Sequence, residues 1–104
     1  MPKYYVKWQL ETTKIPADYQ EMVKSRLARG EMIKADIKAG IIKDWGCAPG
    51  GYFGYLISEG IGEAELLKSL LKYMPYVYFE VVPVLSIDQT IESIKKAAPP
   101  AMKK

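Results

Sequence analysis

Hydrophobic positions along the chain alternate between two spacings, and the order of the switches predicts the fold. In Lys3 to Leu10, KYYVKWQL, the period is two: Tyr4, Val6, Trp8 and Leu10 share one face, and Tyr5, Lys7 and Gln9 the other. From Pro16 to Ala39 the period lengthens to that of a helix. Pro16 suits the first helical position, Asp18 and Glu21 place acids in the first turn, and Gly40 suits the C′ stop. Tyr19, Met22, Val23, Leu27, Ile33 and Ile37 form one face of that helix, interrupted by Arg26 and Gly30. A glycine there costs about 1 kcal/mol of helix propensity relative to alanine, so close approach of the backbone to a sheet is expected. Arg26, one turn earlier, either lies along that gap with its guanidinium inward or packs its stem and sends its head to the edge.

Ile41 to Ser58, IIKDWGCAPGGYFGYLIS, reads as a hairpin of two strands, Ile41 to Cys47 and Gly51 to Ser58. The turn Ala48-Pro49-Gly50-Gly51 is expected to be type II, with proline at i+1 and a positive-φ glycine at i+2. Glycines inside these strands mark a bulge or a close backbone approach. The run WGCAPGGYFG superficially suggests a phosphate loop, but no Gly-Lys-Ser/Thr follows, and it leads into a strand rather than a helix.

Gly62 to Met74 returns to helical spacing: Leu66, Leu67, Leu70, Leu71 and Met74 lie inside, Glu63, Glu65, Lys68 and Lys72 outside, and Pro75 ends the run. Tyr76 to Val84, YVYFEVVPV, is a fourth strand, apolar on both faces. A strand buried on both sides needs a second layer beyond the helices. The chain has nothing left to supply it, so a second copy is expected to. Ser86 and Gln89 form a capping box for a short helix with an Ile87, Ile91, Ile94 stripe. The pattern is therefore one α+β domain, residues 1–97, in the order β-α-β-β-α-β plus a terminal helix. Pro99 and Pro100 stop that helix, and 98–104 is expected to be a disordered basic tail.

Composition narrows the function classes. Four of the 15 basic residues, Lys95, Lys96, Lys103 and Lys104, lie in the last ten positions, and all 12 acids lie before them. The positive charge thus sits on a tail rather than a folded face, which argues against nucleic-acid binding. No apolar run approaches the ~18 residues of a membrane span, and MPKYYVKWQL has no signal-peptide h-region. Cys47 is the only cysteine, so no internal disulfide can form, and a cytoplasmic location is expected. The lone thiol also lacks a histidine or second cysteine to activate it. Without histidine no transition-metal site is expected, and no cofactor.

The element order and a last strand reading Phe79, Glu80, Val81, Pro83, Val84 resemble the dimeric α+β barrel (ferredoxin-like) superfamily, in particular its small stand-alone domains. Muconolactone isomerase-like proteins are more distant members. The resemblance implies an antiparallel sheet ordered 4-1-3-2, helices on one face, and the other face packed on a second subunit as a homodimer. The superfamily also holds cofactor-free monooxygenases of polycyclic aromatics and haem enzymes. Its usual haem ligand and its His-Asp sites have no counterpart in a chain without histidine.

If the helices cover Val6, Trp8, Val77 and Phe79, the barrel side carries Tyr5, Lys7, Gln9, Lys43, Trp45, Tyr52, Leu56, Tyr78, Glu80 and Val82. Strands 1 and 4 would be neighbours, with Lys7 facing Glu80. That pair is either a proton-transfer site, if burial raises the carboxyl pKa, or a structural ion pair fixing register. Trp45, Tyr52 and Tyr78 either stack on a planar ligand, with Arg26 as a further candidate contact, or fill an interface. Asp44 is expected to keep an edge strand from pairing. Two functions follow: a homodimeric domain binding a small apolar or aromatic ligand in a barrel-side pocket, or a cofactor-independent isomerase or monooxygenase acting on a small cyclic or aromatic substrate through Glu80 and Lys7.

Overall fold

Strand β1 (Lys3–Leu10) forms the middle of the structure because its alternation is complete: Tyr4, Val6, Trp8 and Leu10 are all buried, and Tyr5, Lys7 and Gln9 are exposed. The computed structural model describes residues 2–102. After β1 come α1 (Tyr19–Lys38), β2 (Asp44–Cys47), β3 (Phe53–Glu59), α2 (Glu63–Leu71), β4 (Val77–Val84) and α3 (Ile87–Ala97), with 3-10 turns at Thr12–Lys14 and Pro100–Met102. The sheet is antiparallel in the order β2-β3-β1-β4, the ferredoxin-like arrangement with an added C-terminal helix. Pro83 sits on the edge strand β4, where its missing N–H costs no ladder bond.

The helix-covered face holds the core. Tyr4, Val6, Ile42, Leu56, Leu66 and Leu70 pack together, and Trp8, Leu10, Tyr73 and Val77 continue the layer. The opposite face is open. There the register places Tyr5 between Ile57 and Val82, Lys7 between Tyr55 and Glu80, and Gln9 between Phe53 and Tyr78.

Several local expectations are corrected. Asp18 is the N-cap of α1 rather than a first-turn acid, its Oδ2 accepting from Glu21 N at 2.9 Å, so Pro16 lies outside the helix. The hairpin turn closes by Gly51 N donating to Ala48 O at 2.8 Å, but the positive φ (+88°) belongs to Gly51, not Gly50, so the turn is not type II. Ile41 to Lys43 lie outside the β2 ladder, although Ile42 plugs the core. Gly30 has no atom within 4 Å of where a Cβ would stand, so the expected close backbone approach is absent.

Helix α1 is also turned from its expected orientation. Tyr19, Leu27 and Ile37 are exposed, and Arg26, Arg29, Gly30, Met32, Ile33 and Asp36 hold the more buried side. A polar contact sets this rotation. Asp36 is buried in the last turns of α1 and accepts from Tyr73 Oη and Lys72 Nζ, both at 2.6 Å. A buried carboxylate must be paired, so its two donors after α2 draw this side of the helix inward.

Glycine is required where β2 and β3 meet β1. A Cβ at Gly54 would overlap both the Gly46 carbonyl oxygen and the Trp8 ring. With no side chain there, Trp8 lies across β3 and its Nε1 donates to Gly46 O at 3.1 Å.

Helix α3 begins with the expected capping box, Ser86 Oγ accepting from Gln89 N and Gln89 Oε1 accepting from Ser86 N. None of its residues is buried, and Ile87 and Ile94 are 71% and 64% exposed. The radius of gyration, 18.0 Å, exceeds the ~13 Å of a compact 100-residue domain, and the longest dimension is 66 Å. Lys103 and Lys104, the end of the expected tail, lie outside the described residues.

Candidate functional site

Between α1 and the sheet is a partly open cavity of about 110 Å³. Its walls come from every layer of the core. Trp8 and Leu10 rise from β1, Trp45 and Leu56 from the hairpin strands, Val77 and Phe79 from β4, and Tyr73 from the turn after α2. Arg26, Arg29, Gly30 and Ile33 face it from α1 at helical spacing. Two features of the sequence hold this space open. Gly30 presents no side chain, and the Trp8 and Trp45 rings stack on one another, centroids 5.4 Å apart and planes 8° apart, rather than spreading into the gap.

The two arginines are anchored differently. Arg26 Nη2 donates to Gly51 O at 2.6 Å, so the inward guanidinium ties α1 to the hairpin turn. Arg29 Nη1 donates to Ser25 Oγ at 2.7 Å, and its guanidinium carbon lies 5.5 Å from the centre of the Tyr76 ring. Burial, and then the neighbouring Arg26 charge, lower the Arg29 pKa from its ordinary value, with Tyr76 working the other way. Neither arginine has a carboxylate partner: the ion pairs among the described residues are Lys34–Glu31 and Lys72–Asp36. Tyr73 is held by Asp36, and burial, then that hydrogen bond, push its hydroxyl well above the ordinary tyrosine value.

The six residues singled out from the sequence do not form one site. Trp45 and Arg26 both line the cavity. Trp45 and Leu56 were expected on the barrel side, but Trp45 pairs with Leu56, and Leu56 with Val6, all on the helix-covered face. The cause is register: Asp44 and Gly46 pair with Ile57 and Tyr55 on the open side, which leaves Trp45 opposite Leu56 on the covered side. Tyr52 precedes β3 in the turn, exposed, its carbonyl accepting from Leu10 N at 2.8 Å. Tyr78 is on the open face and exposed.

Lys7 and Glu80 are directly opposed across β1 and β4 on that same open face. Both are exposed and no ion pair joins them in the single subunit. The cavity lies on the far side of the sheet, and none of its lining residues is a carboxylate. On the edge strand, Asp44 accepts from Tyr55 Oη at 2.9 Å, and Tyr55 stacks with Tyr5 at 6.3 Å. Cys47 is exposed, its thiol donating to Ala48 O.

Sequence reasoning missed Arg29, Asp36 and Tyr73. A signal for Arg29 was present, since Arg26, Arg29, Gly30 and Ile33 follow the i, i+3, i+4, i+7 rule on one face. Asp36 and Tyr73 are 37 positions apart, and nothing local announces their contact.

Among the described residues no group of His, Cys, Asp or Glu could hold a metal ion, and no helix is long and apolar enough to cross a membrane. No curated protein matches the chain. Residues 2–98 match the family described as a domain of unknown function, DUF3303, and the chain belongs to that family.

Proposed function

We propose that this chain is a homodimeric domain that binds a small apolar or aromatic molecule, with the helix-side cavity as the binding site. The cavity carries the reading. An apolar cavity of about 150 Å³ takes a benzene ring; this one is smaller, about 110 Å³, but partly open, so a single ring is the largest rigid group it suits. Apolar and aromatic walls with a few polar groups at one side are the usual make-up of a small-molecule site. The enzymatic alternative, an isomerase or monooxygenase, needs a proton acceptor near the substrate. Glu80, its candidate, is across the sheet from the cavity.

Dimer formation is supported by what the single subunit leaves uncovered. The open sheet face exposes Tyr5, Tyr78 and Val82, and α3 exposes Ile87, Ile91 and Ile94. An amphipathic helix with no buried residue lacks the packing that normally stabilises so short a helix, and a second copy offers complementary apolar surface. This accords with the resemblance of the last strand to the dimeric α+β barrels.

Trp8 and Trp45 are the two tryptophans of the chain and both line the cavity, so intrinsic fluorescence reports its occupancy. Titration with a neutral arene such as benzyl alcohol should quench or shift that emission saturably. An unsaturated linear response up to the solubility limit would reject the binding reading. Sedimentation equilibrium addresses the dimer separately, and a folded monomer at micromolar concentration would reject it.

A further inference from the structure

We propose that the cavity selects small aromatic carboxylates, the ring seated among Trp8, Trp45 and Phe79 and the carboxylate held by Arg26 and Arg29. This rests on the reading of the cavity as a ligand site and adds the charge of the ligand. The observation behind it is an imbalance. Two guanidiniums, three residues apart on α1, line one apolar cavity, and no carboxylate of the described chain pairs with either. Both arginines are partly buried, and burial, then the neighbouring Arg26 charge, lower the Arg29 pKa.

The remaining hydrogen-bonding capacity fits a carboxylate. A guanidinium has five N–H donors in a planar fork. The bonds formed are one from Arg26 to Gly51 O and one from Arg29 to Ser25 Oγ, which leaves donors on both heads. Both anchors are neutral oxygens, so they orient the guanidiniums without cancelling their charge. Arginine pairs with carboxylates through short, charge-assisted and often bidentate bonds. The other walls are apolar or aromatic, and Tyr73 Oη is already committed to Asp36. The ligand is therefore one ring with one anionic group at the α1 side.

The test compares phenylacetate with its neutral isostere phenylacetamide, read by tryptophan fluorescence and by calorimetry on the full chain. The wild type should bind phenylacetate at least ~10-fold more tightly, and the preference should shrink as salt screens the charges. Arg29→Gln should reduce the preference to within about twofold, with phenylacetate affinity falling by a larger factor than phenylacetamide affinity. Arg26→Gln should do the same. Because Arg26 also anchors the hairpin, Arg26→Lys is the companion variant: it keeps the charge and should retain part of the preference. Equal wild-type affinity for the two compounds would overturn the carboxylate assignment and leave the apolar-ligand reading standing. Displacement of phenylacetate by equimolar inorganic phosphate would overturn the aromatic part. Binding of neither compound would overturn both readings.

Discussion

Tyr73 Oη donates to Asp36 Oδ2 at 2.6 Å, with both residues buried, and so joins the last turns of α1 to the segment following α2. Lys72 Nζ reaches the other carboxylate oxygen at 2.6 Å from a more exposed position. The Tyr73 ring packs edge-on to Phe79, centroids 6.2 Å apart, and both residues line the cavity. One carboxylate thus sets the rotation of α1 and the position of a cavity wall.

Replacing Tyr73 by phenylalanine removes one donor from a buried carboxylate and should cost about 1.5–3 kcal/mol, the range for hydrogen bonds to charged groups. Urea denaturation should show a lower midpoint with an unchanged slope. A loss under about 0.5 kcal/mol, the scale of ordinary surface substitutions, would mean that Lys72 alone satisfies Asp36.

The same bond predicts an alkaline dependence. The folded state raises the Tyr73 pKa above the ordinary value of 10.0, so it holds that proton more tightly than the unfolded chain. The stability from this group is therefore complete below pH 10.0 and is lost as pH rises from there toward the folded value. The gap between wild type and Tyr73→Phe should be constant through neutral pH and narrow above pH 10.0. Using the difference cancels the raised pKa values of Tyr4 and Tyr55, which both proteins share. A gap that widened with alkali would contradict the assignment.

Two glycines should respond oppositely to alanine. Gly54→Ala drives a methyl into the Gly46 carbonyl and the Trp8 ring, and should cost about 3 kcal/mol, the upper end of the usual range for overpacking, or prevent folding. Gly30→Ala meets no atom within 4 Å and should raise stability by up to about 1 kcal/mol through helix propensity. Because Gly30 lines the cavity, the same change should weaken arene binding. Thermal melts of both variants, with an arene titration of Gly30→Ala, check the three outcomes.

The α3 stripe offers a separate test of the dimer. No α3 residue is buried in the subunit, so Ile91→Asp with Ile94→Asp removes no intrachain core contact. The double variant should sediment as a monomer with the far-ultraviolet spectrum of its sheet and first two helices intact. A dimer that survived both charges would assign the association to the sheet face alone.

The element order and the sheet's core face could be read from the sequence because both rest on local periodicity. Tyr4, Val6, Trp8 and Leu10 alternate without exception, and Ser86 with Gln89 cap α3 as their spacing requires. The shared face of Lys7 and Glu80 was legible too, from period two and adjacent strands, and the β1–β4 register sets them directly opposite, as expected.

The cavity was not legible. Trp45 and Leu56 were expected on the barrel side, yet the ladders set Leu56 opposite Val6 and Trp45 opposite Leu56 on the helix-covered face, a pairing with β1 that no pattern inside the hairpin announces. The rotation of α1 was missed for a different reason. Apolar count along the helix favours the side of Tyr19, Leu27 and Ile37, but a buried carboxylate with donors 36 and 37 residues away outweighs it. Periodicity reports only what each segment contributes to its own face. Which faces meet, and what space remains between them, depends on long-range polar pairing and side-chain volume, and the tertiary structure alone decides that.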